Sequence, residues 1–227
     1  IQSINRSLKI IDNDFRNSKL ANKIFLDLFS NSREPETILR NMNDAGVLAK
    51  FLPDFARVEG MSLFNLYHNY TVDEHLLKTV GFMSKIINNT LSQPHPFTSN
   101  FNAKLDNKKV LLLSAFLHDI GKGRKQDHSI LGSQITEKLC NRIGMKKNEV
   151  SQTAWLVKNH LVMSDIAQKR DLYDPKTIVD FASIVKNQKN LDYLLALTVA
   201  DIMSVGPSIW NAWKSGLLRT LYSETSN

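Results

Sequence analysis

The sequence lacks the features that would place it in an oxidising compartment or in a membrane. It contains a single cysteine, Cys140, which excludes an internal disulfide and fits a reducing cytoplasm. No apolar run approaches the roughly 20 residues of a membrane-spanning helix, and the N-terminus has no signal-peptide pattern. We therefore expect a cytoplasmic protein with no membrane partner. Because the chain starts at Ile1 rather than methionine, we also expect it to be a fragment of a longer protein.

Patterns typical of β-strands are equally scarce. No stretch alternates apolar and polar residues for long enough to demand a strand. Apolar residues instead recur at helical spacing, and several of the nine glycines lie where helices should stop. The 227 residues therefore predict an all-α protein of one or two compact domains.

The charge pattern favours small acidic partners over nucleic acid. A net charge of +7 suits nucleotides or phosphoproteins. The basic residues are spread out, and no basic strand interleaved with aromatic residues is present, so we expect no nucleic-acid partner.

Start and stop signals place the main helices. Thr71 and Glu74 form a capping box that would begin one helix. A helix is expected over residues 108–120, and because its core over 110–117 is apolar nearly all round, we expect it to be central. Further helices are expected from His128, over 150–161, from Asp174 with Pro175 in the first turn, and after a cap at Asn190. A last helix follows Gly206, and its Trp210 and Trp213 are expected in the core.

The region before residue 67 shows no chemistry. Its pattern predicts short helices, with Leu20, Ile24 and Leu28 on one face. We expect a helical connector or extension over residues 1–66, a functional domain over 67–206, and a C-terminal helix over 207–227 that packs on that domain.

Histidines and aspartates at helix ends carry the chemical signal. His118 and Asp119 end the apolar helix, and burying such a pair costs free energy unless something compensates it. A divalent cation would compensate both, because neutral imidazole and carboxylate are suitable ligands. His75 lies in the first turn of the earlier helix, and Asp201 lies near the end of a later one.

This arrangement resembles the HD superfamily of phosphohydrolases. The central motif of that superfamily is similar to residues 116–123, Phe-Leu-His-Asp-Ile-Gly-Lys-Gly. The resemblance implies an HD-domain helical bundle in which His75, His118, Asp119 and Asp201 bind a first divalent metal. It also implies a catalytic role for Asp119.

Two further histidines occupy places where binuclear members carry ligands of a second metal. By that resemblance His128 and His160 would bind the second ion, Asp119 would bridge the pair, and His128 would belong to the catalytic set. The alternatives are a surface histidine for His128 and a hydrogen-bonded core histidine for His160. The resemblance thus implies one or two ions, Mn²⁺ or Mg²⁺, with Fe or Zn as alternatives.

Two other side chains near the motif have open roles. Lys122 follows the metal ligands and would neutralise a phosphate oxygen, or would only offset a helix dipole. His68 would line the cleft, or would be buried and structural.

Other segments resemble one branch of the superfamily, the uridylyl-removing domains of the bifunctional uridylyltransferase/uridylyl-removing enzymes of nitrogen regulation. The similar segments are 43–48, 51–55, 66–75, 127–132, 159–171, 198–202, 206–207 and 210–214. The resemblance implies a phosphodiesterase that removes UMP from a tyrosine of the PII signalling protein. It also suggests substrate contacts from five residues: Lys122, Arg124, Asp165, Gln168 and Arg170.

Two rival functions remain open at this stage. One is an HD-type phosphohydrolase of small nucleotides, and the other is a non-catalytic module that binds nucleotide or PII. The chain shows neither the transferase domain nor the ACT domains of the bifunctional enzymes. We therefore expect it to remove UMP without adding it, and to lack control by glutamine.

Overall fold

The computed structural model describes residues 7–62, 70–93, 95–206 and 208–226. Helices joined by turns make up these residues, with no strand among them, so the all-α prediction is confirmed. The predictions for His68 and for Pro207 lie outside the described residues. The α-helices are α1 (Asn13–Asn17), α2 (Lys19–Asn31), α3 (Pro35–Asp44), α4 (Val47–Phe51), α5 (Val72–Ile87), α6 (Lys108–Leu117), α7 (His128–Arg142), α8 (Lys147–Asn159), α9 (Val162–Lys169), α10 (Pro175–Val185), α11 (Gln188–Val205) and α12 (Ala212–Ser226).

Helix α6 lies at the centre of the protein. Every residue from Val110 to Leu117 is buried, and the helix packs against α2, α5, α8 and α11. This burial follows from a sequence that is apolar on nearly all sides. The prediction of a central helix is correct, although α6 ends at Leu117 and the residues up to Ile120 form a turn.

The N-terminal helices pack directly against this central helix. The ring of Phe116 on α6 lies 5.9 Å from that of Phe29 and 5.4 Å from that of Phe55, between centroids. Arg40 on α3 donates hydrogen bonds of 2.7 and 2.9 Å to the two carboxylate oxygens of Glu74 on α5. These contacts join the N-terminal segment to the helices that carry His75 and His118.

The ion pair with Arg40 also explains why the predicted capping box is wrong. Thr71 is the N-cap of α5, as expected, but its side chain makes no capping hydrogen bond. Glu74, the second member of the predicted box, is instead directed to Arg40. A charged partner outside the helix therefore replaces the local reciprocal cap.

Leu20, Ile24 and Leu28 share a face of α2, as predicted. That face is 67%, 49% and 47% exposed, whereas α2 buries the side that includes Phe25, Leu26 and Phe29. Two predictions about packing and caps are corrected. Trp210 is partly buried against the core, whereas Trp213 is 61% exposed. The cap of α11 is Asn187, not Asn190.

The C-terminal half contains one helix that the sequence reading missed. Residues 162–169 form α9, between the helix expected over 150–161 and the one expected from Asp174. The predicted start of α10 is correct, because the Asp174 side chain accepts a hydrogen bond from the backbone N–H of Lys176, with Pro175 in the first turn. None of the described helices is long and apolar enough to cross a membrane.

Candidate metal centre

Helices from distant parts of the chain bring the predicted histidines and aspartates together. His75 comes from the first turn of α5, His118 and Asp119 follow the end of α6, and Asp201 lies near the end of α11. We call His75, His118, Asp201 and the Oδ2 atom of Asp119 the first His/Asp group.

The first group is compact, and its residues are buried except for Asp201, whose side chain is 19% exposed. The Nε2 atoms of His75 and His118 lie 3.1 Å apart. Asp201 Oδ1 lies 3.0 Å from the first of them and 3.5 Å from the second, and Asp119 Oδ2 lies 3.8 and 3.5 Å away. Four potential donor atoms therefore surround one small volume.

A second group lies on the other side of Asp119. Oδ1 of Asp119 lies 3.6 Å from His128 Nε2 and 3.6 Å from His160 Nε2. We call His128, His160 and this oxygen the second His/Asp group. Donor atoms of His75, His118 and Asp119 lie within 4.8 Å of one another. The same is true of donor atoms of Asp119, His128 and His160.

Hydrogen bonds at the opposite ring nitrogens orient three of the imidazoles. Nδ1 of His118 lies 2.9 Å from the backbone oxygen of Ala115, and Nδ1 of His160 lies 2.7 Å from that of Val157. A carbonyl oxygen accepts only from an N–H, so both Nδ1 atoms carry a proton, and in its neutral form each ring presents the Nε2 lone pair.

Ser204 orients the third imidazole. Its Oγ donates to the backbone oxygen of Asp201 at 2.7 Å and accepts from Nδ1 of His75 at 3.0 Å. The sequence reading missed Ser204, although its position three residues after Asp201 on a helix would have placed it beside the site.

These residues fit a divalent cation. The facing Nε2 lone pairs of His75 and His118 repel one another unless a cation lies between them and the carboxylates. The Nε2 atoms of His128 and His160 are buried and make no hydrogen bond within the described part of the chain. Neutral imidazole together with carboxylate is a donor set typical of first-row divalent metals.

The electrostatics keep both carboxylates ionised. Burial alone would raise the pKa of Asp119, but His118, His160 and Lys122 outweigh it and hold the pKa well below its usual range. Burial is likewise outweighed at Asp201, where His118 and His75 lower the pKa. Burial lowers the pKa of His128, despite the opposing charge of Asp119, and so favours its neutral form.

A glycine permits the close approach that positions His128. A Cβ atom on Gly121 would lie 2.3 Å from the backbone oxygen of His128 and 2.9 Å from the backbone nitrogen of Gly132. The turn after Asp119 therefore packs on the first turn of α7 more closely than any other residue would allow. Gly123, at φ +75°, then lets the chain turn away.

The basic residues after the motif have different surroundings. The ammonium of Lys122 lies 2.5 Å from Asp119 Oδ2, at the edge of the first group. Arg124 instead pairs with Asp54 at 2.9 Å. Of these two predicted substrate contacts, the structure thus brings Lys122 to the site and pairs Arg124 with the N-terminal segment.

The other predicted substrate contacts lie on or just after α9. Asp165 forms an exposed ion pair with Lys169 at 2.7 Å, and the Gln168 amide donates to the backbone oxygen of Ser164. Arg170 is exposed at the end of the helix. Their role in substrate binding stays a prediction.

Comparison with known families agrees with this geometry. A family model described as the HD domain matches residues 72–204, the region that contains both His/Asp groups. A second model, described as the uridylyltransferase GlnD third domain, matches residues 1–51. The resemblance inferred from the motifs is therefore confirmed. The chain belongs to the HD-domain family of metal-dependent phosphohydrolases, here preceded by a segment of the uridylyltransferase GlnD type.

Proposed function

We propose that this protein hydrolyses the phosphodiester that links UMP to a tyrosine of the PII signalling protein. The observation that carries the proposal is the position of Asp119, whose two oxygens face two separate sets of imidazoles. The GlnD-type segment before the HD domain favours a uridylylated protein as the substrate over a free nucleotide.

In this proposal His75, His118, Asp119 and Asp201 would hold one divalent ion, and His128, His160 and Asp119 would hold a second. Bound ions of this kind activate a water as nucleophile and offset the charge of the phosphate. We propose Mn²⁺ as the working ion, because an imidazole-rich site suits it better than Mg²⁺. The hydrogen bonds from Ser204, Ala115 and Val157 would keep the rings aimed at the ions.

Lys122 would stabilise the phosphate. It is the cation in direct contact with Asp119, so a phosphate oxygen bound at the first group would lie within its reach. The oxygen of a water forms a bond to phosphorus, the P–O bond to the tyrosine breaks, and the proton lost by the water passes through solvent to the released tyrosine. The leaving phenolate has a conjugate acid of pKa about 10, so it departs without a strong general acid.

The direct test uses the purified protein with Mn²⁺ and uridylylated PII. We expect release of UMP and recovery of unmodified PII, measured by nucleotide chromatography and by the mass of intact PII. Hydrolysis of free nucleotides with modified PII left unchanged would contradict the substrate and favour a small-nucleotide phosphohydrolase. If the metal-bound protein hydrolysed neither uridylylated PII nor free nucleotides, the proposal that it is a hydrolase would be contradicted.

Asp119→Ala removes the carboxylate shared by the two groups, and we expect turnover to fall to the background rate. The matched control is His95→Ala, which changes a histidine outside both groups. Retained turnover in Asp119→Ala would show that the site has been assigned to the wrong residues.

His160→Ala separates a binuclear site from a mononuclear one. We expect the Mn²⁺ content, measured by elemental analysis after dialysis, to fall by about one ion per chain, because the second group loses one of its two imidazoles. Unchanged metal content would show that the protein holds one ion and that His160 is structural.

A further inference from the structure

A cavity lies beside the metal centre, between α5 and the segment that follows α11. Its volume is about 350 Å³, within the range of cavities that hold small ligands. Its walls come from Tyr70 before α5, from Lys78 and Phe82 on α5, from Met203 and Ser204 on α11, and from Trp210 beyond it.

Ser204 connects this cavity to the metal centre. It lines the cavity, and its Oγ accepts the hydrogen bond from Nδ1 of His75. On α5, Lys78 and Phe82 follow His75 at spacings of three and seven residues, which places them on the same side of the helix. The seven residues from His75 to Phe82 rise about 10 Å along the helix axis. Ser204 therefore lies between the cavity and the Nδ1 side of the His75 ring, so the cavity adjoins the first His/Asp group across that ring.

The lining suits a flat, aromatic and polar-edged ligand. Tyr70, Phe82 and Trp210 supply three aromatic rings, and Nζ of Lys78 lies 3.6 Å from the centroid of the Tyr70 ring. The exposed amides of Gln93 and Asn211 stand at the rim. Aromatic rings stack on nucleobases, and an ammonium with two amides can donate to base carbonyls and accept from a base N–H.

We infer that this cavity, which we call the base pocket, binds the uracil of the nucleotidyl substrate while its phosphate lies at the metal centre. The inference rests on the proposed function and adds to it the residues that select a nucleotide. Trp210, with Phe82 and Tyr70, stacks on the ring. Lys78 donates to a uracil carbonyl, and the amides of Gln93 and Asn211 complete the hydrogen bonds at its edge.

The test compares two phosphodiesters with one leaving group. The first is uridine 5′-(p-nitrophenyl phosphate), and the second is methyl p-nitrophenyl phosphate, which has no base. With Mn²⁺, we expect Trp210→Ala to raise KM for the uridine ester about tenfold, because one base–aromatic stack is lost. We expect little change in kcat for that ester, and no change for the methyl ester. Trp210→Phe retains a ring and should stay close to wild type for both.

The matched control is Trp213→Ala. Trp213 lies three residues further on, is 61% exposed and does not line the cavity, so both substrates should behave as with the wild type. Thermal unfolding checks that each variant is folded. Equal losses on the two substrates, or a Trp210→Ala variant that matches Trp213→Ala, would overturn the base pocket.

A binding measurement separates this inference from the proposed function. Calorimetric titration of the Mn²⁺-loaded protein compares UMP with ribose 5-phosphate. We expect the wild type to prefer UMP, and Trp210→Ala to lose that preference. Such binding without turnover of either ester would overturn the hydrolytic function and leave the base pocket standing. Turnover of both esters with no preference for UMP would overturn the base pocket alone.

Discussion

The two His/Asp groups that share Asp119 are held in different ways. In the first group, both imidazoles are buried and oriented by hydrogen bonds at Nδ1, His75 by Ser204 and His118 by a backbone carbonyl. In the second group, His160 is oriented in the same manner. His128, however, is 27% exposed at its side chain and stands at the first residue of α7, after a turn.

The difference shows how one carboxylate can join a rigid site to a more open one. The first group is built from residues within or directly after long, buried helices, so its geometry is fixed by the core. The second depends on how closely the turn after Asp119 packs against α7. We therefore expect the first group to bind its ion more tightly, and the second to respond more to changes in backbone packing.

Gly121→Ala should have the largest effect of the remaining substitutions and should affect mainly the second group. The added Cβ would overlap backbone atoms of His128 and Gly132, so we expect a loss of about 1–3 kcal/mol in the free energy of unfolding. We also expect one Mn²⁺ per chain to be lost while the other stays bound. Urea denaturation and elemental analysis measure these two effects.

The control for that substitution is Gly216→Ala on α12. A Cβ there meets no atom within 4 Å, so stability should be unchanged or slightly higher. Loss of both ions from Gly121→Ala would show that the two groups do not differ in the way described.

Ser204→Ala should act on the first group. It removes the acceptor for Nδ1 of His75, and loss of such an outer partner costs about 10- to 100-fold in metal affinity. Competition titration with a metal-binding dye measures the two affinities separately. Ser114→Ala, which removes a buried serine that bonds only to the backbone of its own helix among the described contacts, is the control. An equal fall at both groups would contradict the comparison.

The smallest expected effect concerns the loss of stability at acid pH. It tests Glu149, a residue that lies outside both His/Asp groups. Burial would raise the pKa of Glu149, but hydrogen bonds from Asn107 and from the backbone of Lys146, together with Lys109, lower it. A lowered folded-state pKa contributes stability that is present above the unfolded pKa of about 4.3 and is lost as pH falls through the folded value.

Glu149→Gln should therefore lower the stability at pH 7 by about 1 kcal/mol and reduce its decline below pH 5. Melting temperatures of the metal-free protein across that range measure the change, with Glu137→Gln on the exposed side of α7 as the control. If the melting temperature of Glu149→Gln fell below pH 5 as steeply as that of the wild type, groups other than Glu149 would cause the loss of stability in acid.

The sequence predicted the helices best where the apolar pattern was continuous. Helix α6 was expected because its residues are apolar on every side, and α10 because Asp174 and Pro175 are strong start signals. Helix α9 was missed because its eight residues follow α8 with only a short break after His160. The shared face of Leu20, Ile24 and Leu28 on α2 was predicted, but spacing alone does not tell that this face is exposed.

For the candidate site, the motifs and the family resemblance identified the ionisable residues. The structure adds the distances between them and the hydrogen bonds that orient their rings. Chain order could place His75 and Asp201 only on separate helices. Their 3.0 Å approach arises from the packing of α5 against α11, which spans more than one hundred residues of sequence. The spacing of Ser204 from Asp201 could have placed it beside the site, but not its hydrogen bond to His75. The close backbone approach at Gly121 has no local pattern that encodes it.

The ion pair between Arg40 and Glu74 has a thermodynamic consequence. Glu74 immediately precedes His75, so the contact that fastens α3 to α5 adjoins the first ligand of the metal centre. Coupling between two sites is reciprocal. Any free energy by which the packing of the N-terminal helices changes metal affinity at His75 is therefore also the free energy by which metal binding protects those helices from proteolysis.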